Sequence, residues 1–282
     1  IALARPQQAD MVEKAEQQGY DLMLAVDLSS SMLSEDYQGP RGRINRLETA
    51  RPIIQEFVAK RPDDRIGIAV FSRSAMTLAP LTTDHRWIGK QVATLRTGLL
   101  EDGTAIGDGL GVALNDIEYG RRNEGQDAQG SVGAFIILLT DGSNNSGDLT
   151  PAEATALARH RKIPIYAIGT GRNGMVPYPV FDATGRRVGT TQQRSALDID
   201  ALETMAAQTG GRFFMADDTA ALKAAFGAID KARKAQFHVR RTARVRELFM
   251  WFALPALLLL ILAIRGLVRG TRPRAPARLE MA

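Results

Sequence analysis

Four uninterrupted apolar runs constrain this chain more than any other feature. They are Leu22-Met23-Leu24-Ala25-Val26, Ile66-Gly67-Ile68-Ala69-Val70-Phe71, Phe135-Ile136-Ile137-Leu138-Leu139 and Ile163-Pro164-Ile165-Tyr166-Ala167-Ile168. Short runs without polar alternation read as strands buried on both faces, and such strands belong to parallel sheets covered by helices on each side. Residues 76–81 alternate and carry Pro80, which places them at a sheet edge. Residues 212–216 make a last strand. Leu47, Ala50, Ile54, Phe57 and Val58 repeat at helical spacing, and 87–95, 106–117 and 199–208 also read as helices. Thr150-Pro151-Ala152-Glu153 is a helix start with its capping pair, and 219–235 is an amphipathic final helix. Residues 178–191 form a hairpin turning at Ala183-Thr184-Gly185. The expected fold is α/β: a doubly wound, mostly parallel six-stranded sheet, helices on both faces, no internal repeats.

Charge is distributed unevenly. Residues 231–282 hold 12 Lys/Arg against 2 acidic residues, leaving 24 basic and 29 acidic residues in 1–230. The folded part is mildly acidic, which argues against a nucleic-acid partner. There is no cysteine, so disulfides and thiolate chemistry are excluded. Residues 248–264 carry no charge over 17 positions, about 26 Å as a helix. Extended past Arg265 to 268, with Phe249 and Trp251 as interfacial anchors, this stretch is expected to be a transmembrane helix. The expected organisation is a connector at 1–18, a globular domain at 19–236, a basic juxtamembrane connector at 237–247, the span at 248–268 and a basic tail at 269–282. Ile1-Ala2-Leu3-Ala4 before Arg5-Pro6 is compatible with the end of a preceding membrane helix, and 7–18 reads as a helix-permissive connector.

Three loops carry the candidate chemistry. Asp27-Leu28-Ser29-Ser30-Ser31 leaves the first apolar run and presents a carboxylate and two hydroxyls to one side. Thr104 sits in Asp102-Gly103-Thr104-Ala105-Ile106-Gly107-Asp108 at a helix start. Asp141 follows the Phe135 run in Thr140-Asp141-Gly142. Parallel strands ending in these loops bring hard oxygens to the carboxyl edge of the sheet, where open α/β folds bind ligands. Such oxygens suit Mg²⁺ or Mn²⁺, with Ca²⁺ also a candidate.

D-x-S-x-S, a Gly-Thr loop and T-D-G in this order resemble the metal-ion-dependent adhesion site of a von Willebrand factor A domain. The resemblance implies that Ser29, Ser31 and Thr104 touch the metal while Asp27 and Asp141 balance charge, directly or through water. Ala4-Arg5-Pro6, Ser-Met-Leu-Ser-Glu-Asp at 31–36, Pro-Leu-Thr-Thr-Asp at 80–84, Gly-Thr-Ala-Ile-Gly-Asp at 103–108 and Leu-Leu-Thr-Asp-Gly at 138–142 resemble the Bat (aerotolerance, BatA/BatB) group of bacterial membrane A-domain proteins. That group implies a MoxR-type AAA+ ATPase and other Bat-type proteins as partners, in envelope maturation or stress tolerance. It also implies an amino-terminal membrane segment, which this sequence lacks; a chain beginning at Ile1 is expected to be cut from a longer one. The expected location is the bacterial inner membrane, with the A domain periplasmic. The short arginine-rich tail, with Arg265, Arg269, Arg272, Arg274 and Arg278, would be cytoplasmic.

The expected function is metal-dependent binding of a protein partner whose Asp or Glu completes the ion's coordination, without catalysis. The alternatives are a metal-assisted hydrolase and a membrane anchor with an unused metal site. Hydrolysis needs a positioned base, and His85, His160 and His238 lie away from the three loops in sequence. Gly169-Thr170-Gly171-Arg172-Asn173-Gly174 matches G-x-G-x-x-G, but Pro177 and Pro179 follow where a dinucleotide site needs a helix, so it reads as a flexible turn and no nucleotide is expected. Glu101, Asp102 and Asp108 are expected to shape the local field or cap helices.

Overall fold

The computed structural model describes residues 7–12, 19–39, 42–123, 133–234, 242–247 and 249–270, with side chains described for 19–39, 42–122, 133–232 and 253–265. The chain divides into two units, Gln17–Phe237 and a smaller one built from both ends.

In chain order the elements are β1 (Gln7–Val12), β2 (Asp21–Asp27), β3 (Tyr37–Gly39), β4 (Gly42–Ile44), α1 (Arg46–Ala59), β5 (Arg65–Phe71) and β6 (Ala75–Thr82). There follow α2 (His85–Thr94), α3 (Ile106–Asn123), β7 (Ala134–Thr140), α4 (Pro151–His160), β8 (Ile165–Thr170), β9 (Gly174–Phe181) and β10 (Arg187–Ser195). The last are α5 (Ile199–Thr209), β11 (Phe213–Ala216), α6 (Thr219–Lys234), β12 (Thr242–Glu247) and α7 (Phe249–Gly270).

The larger unit is a six-stranded sheet of order β11-β8-β7-β2-β5-β6, parallel except for the edge strand β6. Alternate residues of β2 enter different cores. Leu22, Leu24 and Val26 pack with α1, α2 and α6; Met23 and Ala25 pack with α3, α4 and α5. The continuous apolar runs are explained by this double covering. Because β2 lies between β5 and β7, and the chain winds outward from it in both directions, the loops after β2 and β7 meet at a topological switch point.

Local signals end the helices. Asn45 accepts from the Glu48 amide to start α1, Thr150 and Glu153 form a reciprocal capping box, and Gly210 closes α5 at φ 77°. β9 and β10 form the expected hairpin, longer than 178–191 at both ends.

Three expectations need correction. The polar stretch 35–45, whose Gly and Pro content reads as a loop near the site, instead holds the small β3–β4 hairpin, and Asp36 and Tyr37 are buried. In the smaller unit, 7–12 is a strand paired antiparallel with β12, so each presumed connector contains a strand. The register sets Asp10 across from Arg244 and Ala9 across from Val245, matching positions of opposite charge and of apolar character. Neither six-residue stretch declares a strand alone.

The expected transmembrane helix falls on α7, 22 residues with Pro255 inside. Among the described residues no helix is long and apolar enough to cross a membrane. The portion with described side chains, 253–265, covers about 20 Å of a roughly 30 Å hydrocarbon layer. Within it Leu254, Leu257 to Leu260, Ile261, Leu262 and Ile264 are exposed. Residues 271–282 of the basic tail, most of the loop after α3 and His238 lie outside the described residues.

Candidate metal centre

β2 and β7 run side by side, with Val26 level with Leu139, so the ends of the two strands adjoin. Asp27 is fully buried there. One of its oxygens accepts the Ser29 amide at 2.9 Å, the other the Thr140 hydroxyl at 2.6 Å. The chain then turns through a 3₁₀ segment, Ser30–Leu33. Ser29 and Ser31 stand 2.9 Å apart, hydroxyl to hydroxyl. Ser31 gives its proton to Asp141 at 2.5 Å, so Ser29 donates to Ser31. Ser29 is buried and Ser31 half-buried, so the cluster meets solvent on the serine side.

Thr104 arrives from a loop fixed on two sides. Ala105 and Arg73 donate backbone bonds to Ser72 and Glu101, and the Ser72 hydroxyl holds the Gly103 carbonyl at 3.0 Å. From the other side Asn145 accepts the Thr104 amide and Asn144 the Ile106 amide, both at 2.8 Å, which caps α3. A Cβ added to Gly142 would lie 3.5 Å from the Thr104 hydroxyl, which therefore faces the Asp141 turn. The five residues singled out from sequence thus meet at one sheet edge. The extra carboxylates act as anchors: Asp102 accepts the amide and hydroxyl of Ser30 at 2.8 and 2.7 Å, and Asp108 accepts the amides of Asp148 and Leu149. The bonds from Ser30 outweigh burial and hold the Asp102 carboxyl below its usual range.

Sequence reasoning missed Arg46. It is fully buried, donates to Asp141 at 2.7 Å and to Asp36 at 2.5 and 3.0 Å, and reaches the Ser195 hydroxyl at 3.1 Å. Gly171, at φ +85°, leaves the room: a Cβ there would sit 2.2 Å from the guanidinium carbon. The G-x-G-x-x-G stretch is thus a packing device, not a flexible turn. One signal was available. Arg46 opens α1, where a cation opposes the helix dipole, and such local conflicts mark residues held by tertiary contacts.

Burial, and then the charge of Asp141, push the Asp27 carboxyl up to about 7 against the bonds from Ser29 and Thr140. Burial also raises Asp141, opposed chiefly by Arg46. Asp27 forms no ion pair among the described residues, and a buried carboxylate without a counter-ion calls for a cation. Among the described residues no group of three or more His, Cys, Asp or Glu is placed to hold a metal. An ion at this edge would depend on hydroxyl ligands, and the all-oxygen set of Asp27, Ser29, Ser31, Thr104 and Asp141 fits a hard divalent cation.

A pH dependence follows. The unfolded Asp27 carboxyl titrates near 4. Between about pH 4 and 7 the metal-free folded protein keeps a proton that the unfolded chain has lost, so its stability falls as pH rises. Asp27→Asn should remove this contribution. In chelator, the melting temperature of D27N should gain on the wild type from pH 4 to 7; parallel profiles would refute the placement of the charge.

An α/β sheet with a serine-threonine-aspartate cluster at its switch point is the architecture of an A-type domain. The von Willebrand factor type A domain model matches residues 21–228, and the chain belongs to that family. It is similar to the crystal structure of BatB from Bacteroides thetaiotaomicron, with 28% identity and TM-score 0.59 over 77% of this chain and all of that one. An aerotolerance-related membrane protein from Bacteroides fragilis gives 25% identity and TM-score 0.57 over the same shares. A UPF0353 protein from Nocardia farcinica is 26% identical over 240 residues, 82% of this chain and 67% of that protein. The chain is thus Bat-like.

Proposed function

We propose that this A domain is a non-catalytic, divalent-metal-dependent binding module for a protein partner. The observation that carries this reading is the pairing of Asp141 with Arg46. Beside the three hydroxyls it leaves Asp27 as the one carboxylate of the set without an ion-pair partner among the described residues, so a bound Mg²⁺ or Mn²⁺ would be held mostly by neutral donors and keep strong Lewis acidity and an open position. Such an ion attracts an acidic group from outside, and a partner's Asp or Glu is the natural donor. Ser29, Ser31 and Thr104 would hold the ion, with Asp27 and Asp141 balancing charge. When bound, the ion supplies an electrophilic docking point.

A hydrolase reading finds less support. His85 donates to the Asp64 carbonyl, at the opposite edge of the sheet from the cluster, and His160 closes α4. By resemblance to Bat-type proteins, we propose that partners include other proteins of that type and a MoxR-type ATPase. We further propose that α7 anchors the chain in a bacterial inner membrane, with the A domain outside the cytoplasm.

Capture of partners from native membranes by the purified chain tests the reading. Binding should need Mg²⁺ or Mn²⁺, vanish in chelator and compete with free acidic peptide. Capture unchanged by chelator, or phosphatase or peptidase activity of the pure chain, would overturn it. Protease added to spheroplasts should cut the A domain; cleavage only in inverted vesicles would reverse the orientation.

A further inference from the structure

The β9–β10 hairpin guards one edge and leaves the other open. β9 carries Pro177 and Pro179, across from Gln192 and Thr190. Proline has no N–H and fits only where the backbone points away from the neighbouring strand. The Pro177 carbonyl confirms the direction, accepting the Glu35 amide at 2.8 Å. The pairs 177/192, 179/190 and 175/194 are therefore the non-hydrogen-bonded ones of an antiparallel ladder. It follows that Thr190, Gln192 and Arg194 aim their amides and carbonyls at the outer edge of β10. All three are exposed, and no backbone bond lies on that edge among the described residues. β10 has no proline, and its register shift lies near the tip, between Arg187 and Gly189, so 189–195 is a regular free edge.

The base of this edge adjoins the metal cluster. The Ser195 hydroxyl accepts from Arg46, whose other nitrogen holds Asp141 at 2.7 Å, and the Ala196 carbonyl accepts the Ser143 hydroxyl at 3.2 Å. The hairpin is also cationic within a mildly acidic domain. Residues 172–195 contain Arg172, Arg186, Arg187 and Arg194 against the single Asp182. Arg187 pairs with Glu35 at 2.8 Å and Arg186 with Asp182 at 3.4 Å. Arg172 and Arg194 form no ion pair among the described residues.

We infer that the β10 outer edge is a docking strand for an extended acidic segment of the protein partner. The segment adds as a further strand, bonding Thr190, Gln192 and Arg194, while its acidic side chains meet Arg194. A carboxylate at its inner end then lies beside the metal cluster. This rests on the metal-dependent reading above and adds the strand geometry that selects the partner.

The test uses the purified full chain, Mn²⁺, and a series of synthetic ten-residue strand-forming peptides of alternating Thr/Val and Glu ending in Asp. Amide hydrogen exchange is read residue by residue. The amides of Thr191 and Gln193 should be protected throughout. Those of Thr190, Gln192 and Arg194 should exchange freely alone and slow at least about tenfold with peptide and Mn²⁺. Arg194→Glu should weaken the peptides at least about tenfold while leaving Mn²⁺ affinity by calorimetry unchanged. Intact Mn²⁺ binding with no new protection by any peptide would overturn this inference alone; absent Mn²⁺ binding would overturn the metal reading. Protection that persists in chelator, or that appears without peptide as protein concentration rises, would also overturn it, the latter assigning the edge to a second copy of this chain.

Discussion

Ser29→Ala combined with Ser31→Ala should abolish divalent-ion binding while the domain stays folded. The two hydroxyls, 2.9 Å apart, face each other and Asp141 and contribute little to the core. Their removal costs the Ser31–Asp141 bond, on the order of 1 kcal/mol. It also takes two of the three neutral donors that the proposed site offers. Wild-type protein should gain about 2.7 kcal/mol at an ion concentration 100 times its dissociation constant. The double variant should gain nothing at that concentration. Calorimetry and thermal melts with Mg²⁺ or Mn²⁺ check both statements, and equal ion-induced stabilisation of the two proteins would remove Ser29 and Ser31 from the site.

Arg46→Met should be the most damaging single substitution near the site. Arg46 lies fully buried between Asp36 and Asp141, with side-chain exposures of 0%, 4% and 0%. Burial disfavours its charge, yet its two carboxylate partners outweigh this and raise its affinity for the proton. Deleting the cation strands two buried carboxylates, which costs about 3–5 kcal/mol. That is a large part of a typical domain stability of roughly 5–15 kcal/mol. Arg46→Lys should fall in between, since an ammonium cannot serve Asp36 and Asp141 along two directions as the guanidinium does. Asp36→Asn and Asp141→Asn, added to Arg46→Met, should recover much of the loss by removing the stranded charges. Urea denaturation in chelator measures the series. Adding Mg²⁺ should stabilise Arg46→Met more than wild type, because the ion supplies positive charge beside Asp141. A wild-type midpoint for Arg46→Met would show that the pair contributes nothing net.

The two substitutions separate what was visible in the sequence from what was not. The clustering of Ser29, Ser31, Thr104, Asp27 and Asp141 was legible because each of their loops follows directly on a recognisable strand or opens a helix. Asp36 and Arg46 were hidden in a polar stretch rich in Gly and Arg, where exposed and buried charges look alike. The Gly169–Gly174 stretch misled for the same reason: Gly171 leaves room for Arg46, 125 positions earlier, and Gly169 packs against Leu197 and Phe213. Thr140, whose hydroxyl holds Asp27, sat inside the motif but showed no role until β2 and β7 were adjacent.

By itself, then, the sequence determined the strands of the central sheet, their covering on both faces and the loops at its carboxyl edge. Periodicity and loop composition are local properties, and neighbouring residues suffice to express them. Tertiary structure alone decided that Arg46 bridges Asp36 and Asp141, that Asp10 stands across from Arg244, and that the backbone of Thr190, Gln192 and Arg194 faces outward from the hairpin. Those facts depend on register and on charges brought together from distant positions. The energy of the Arg46–Asp141 pair exists only once burial has removed water from around it.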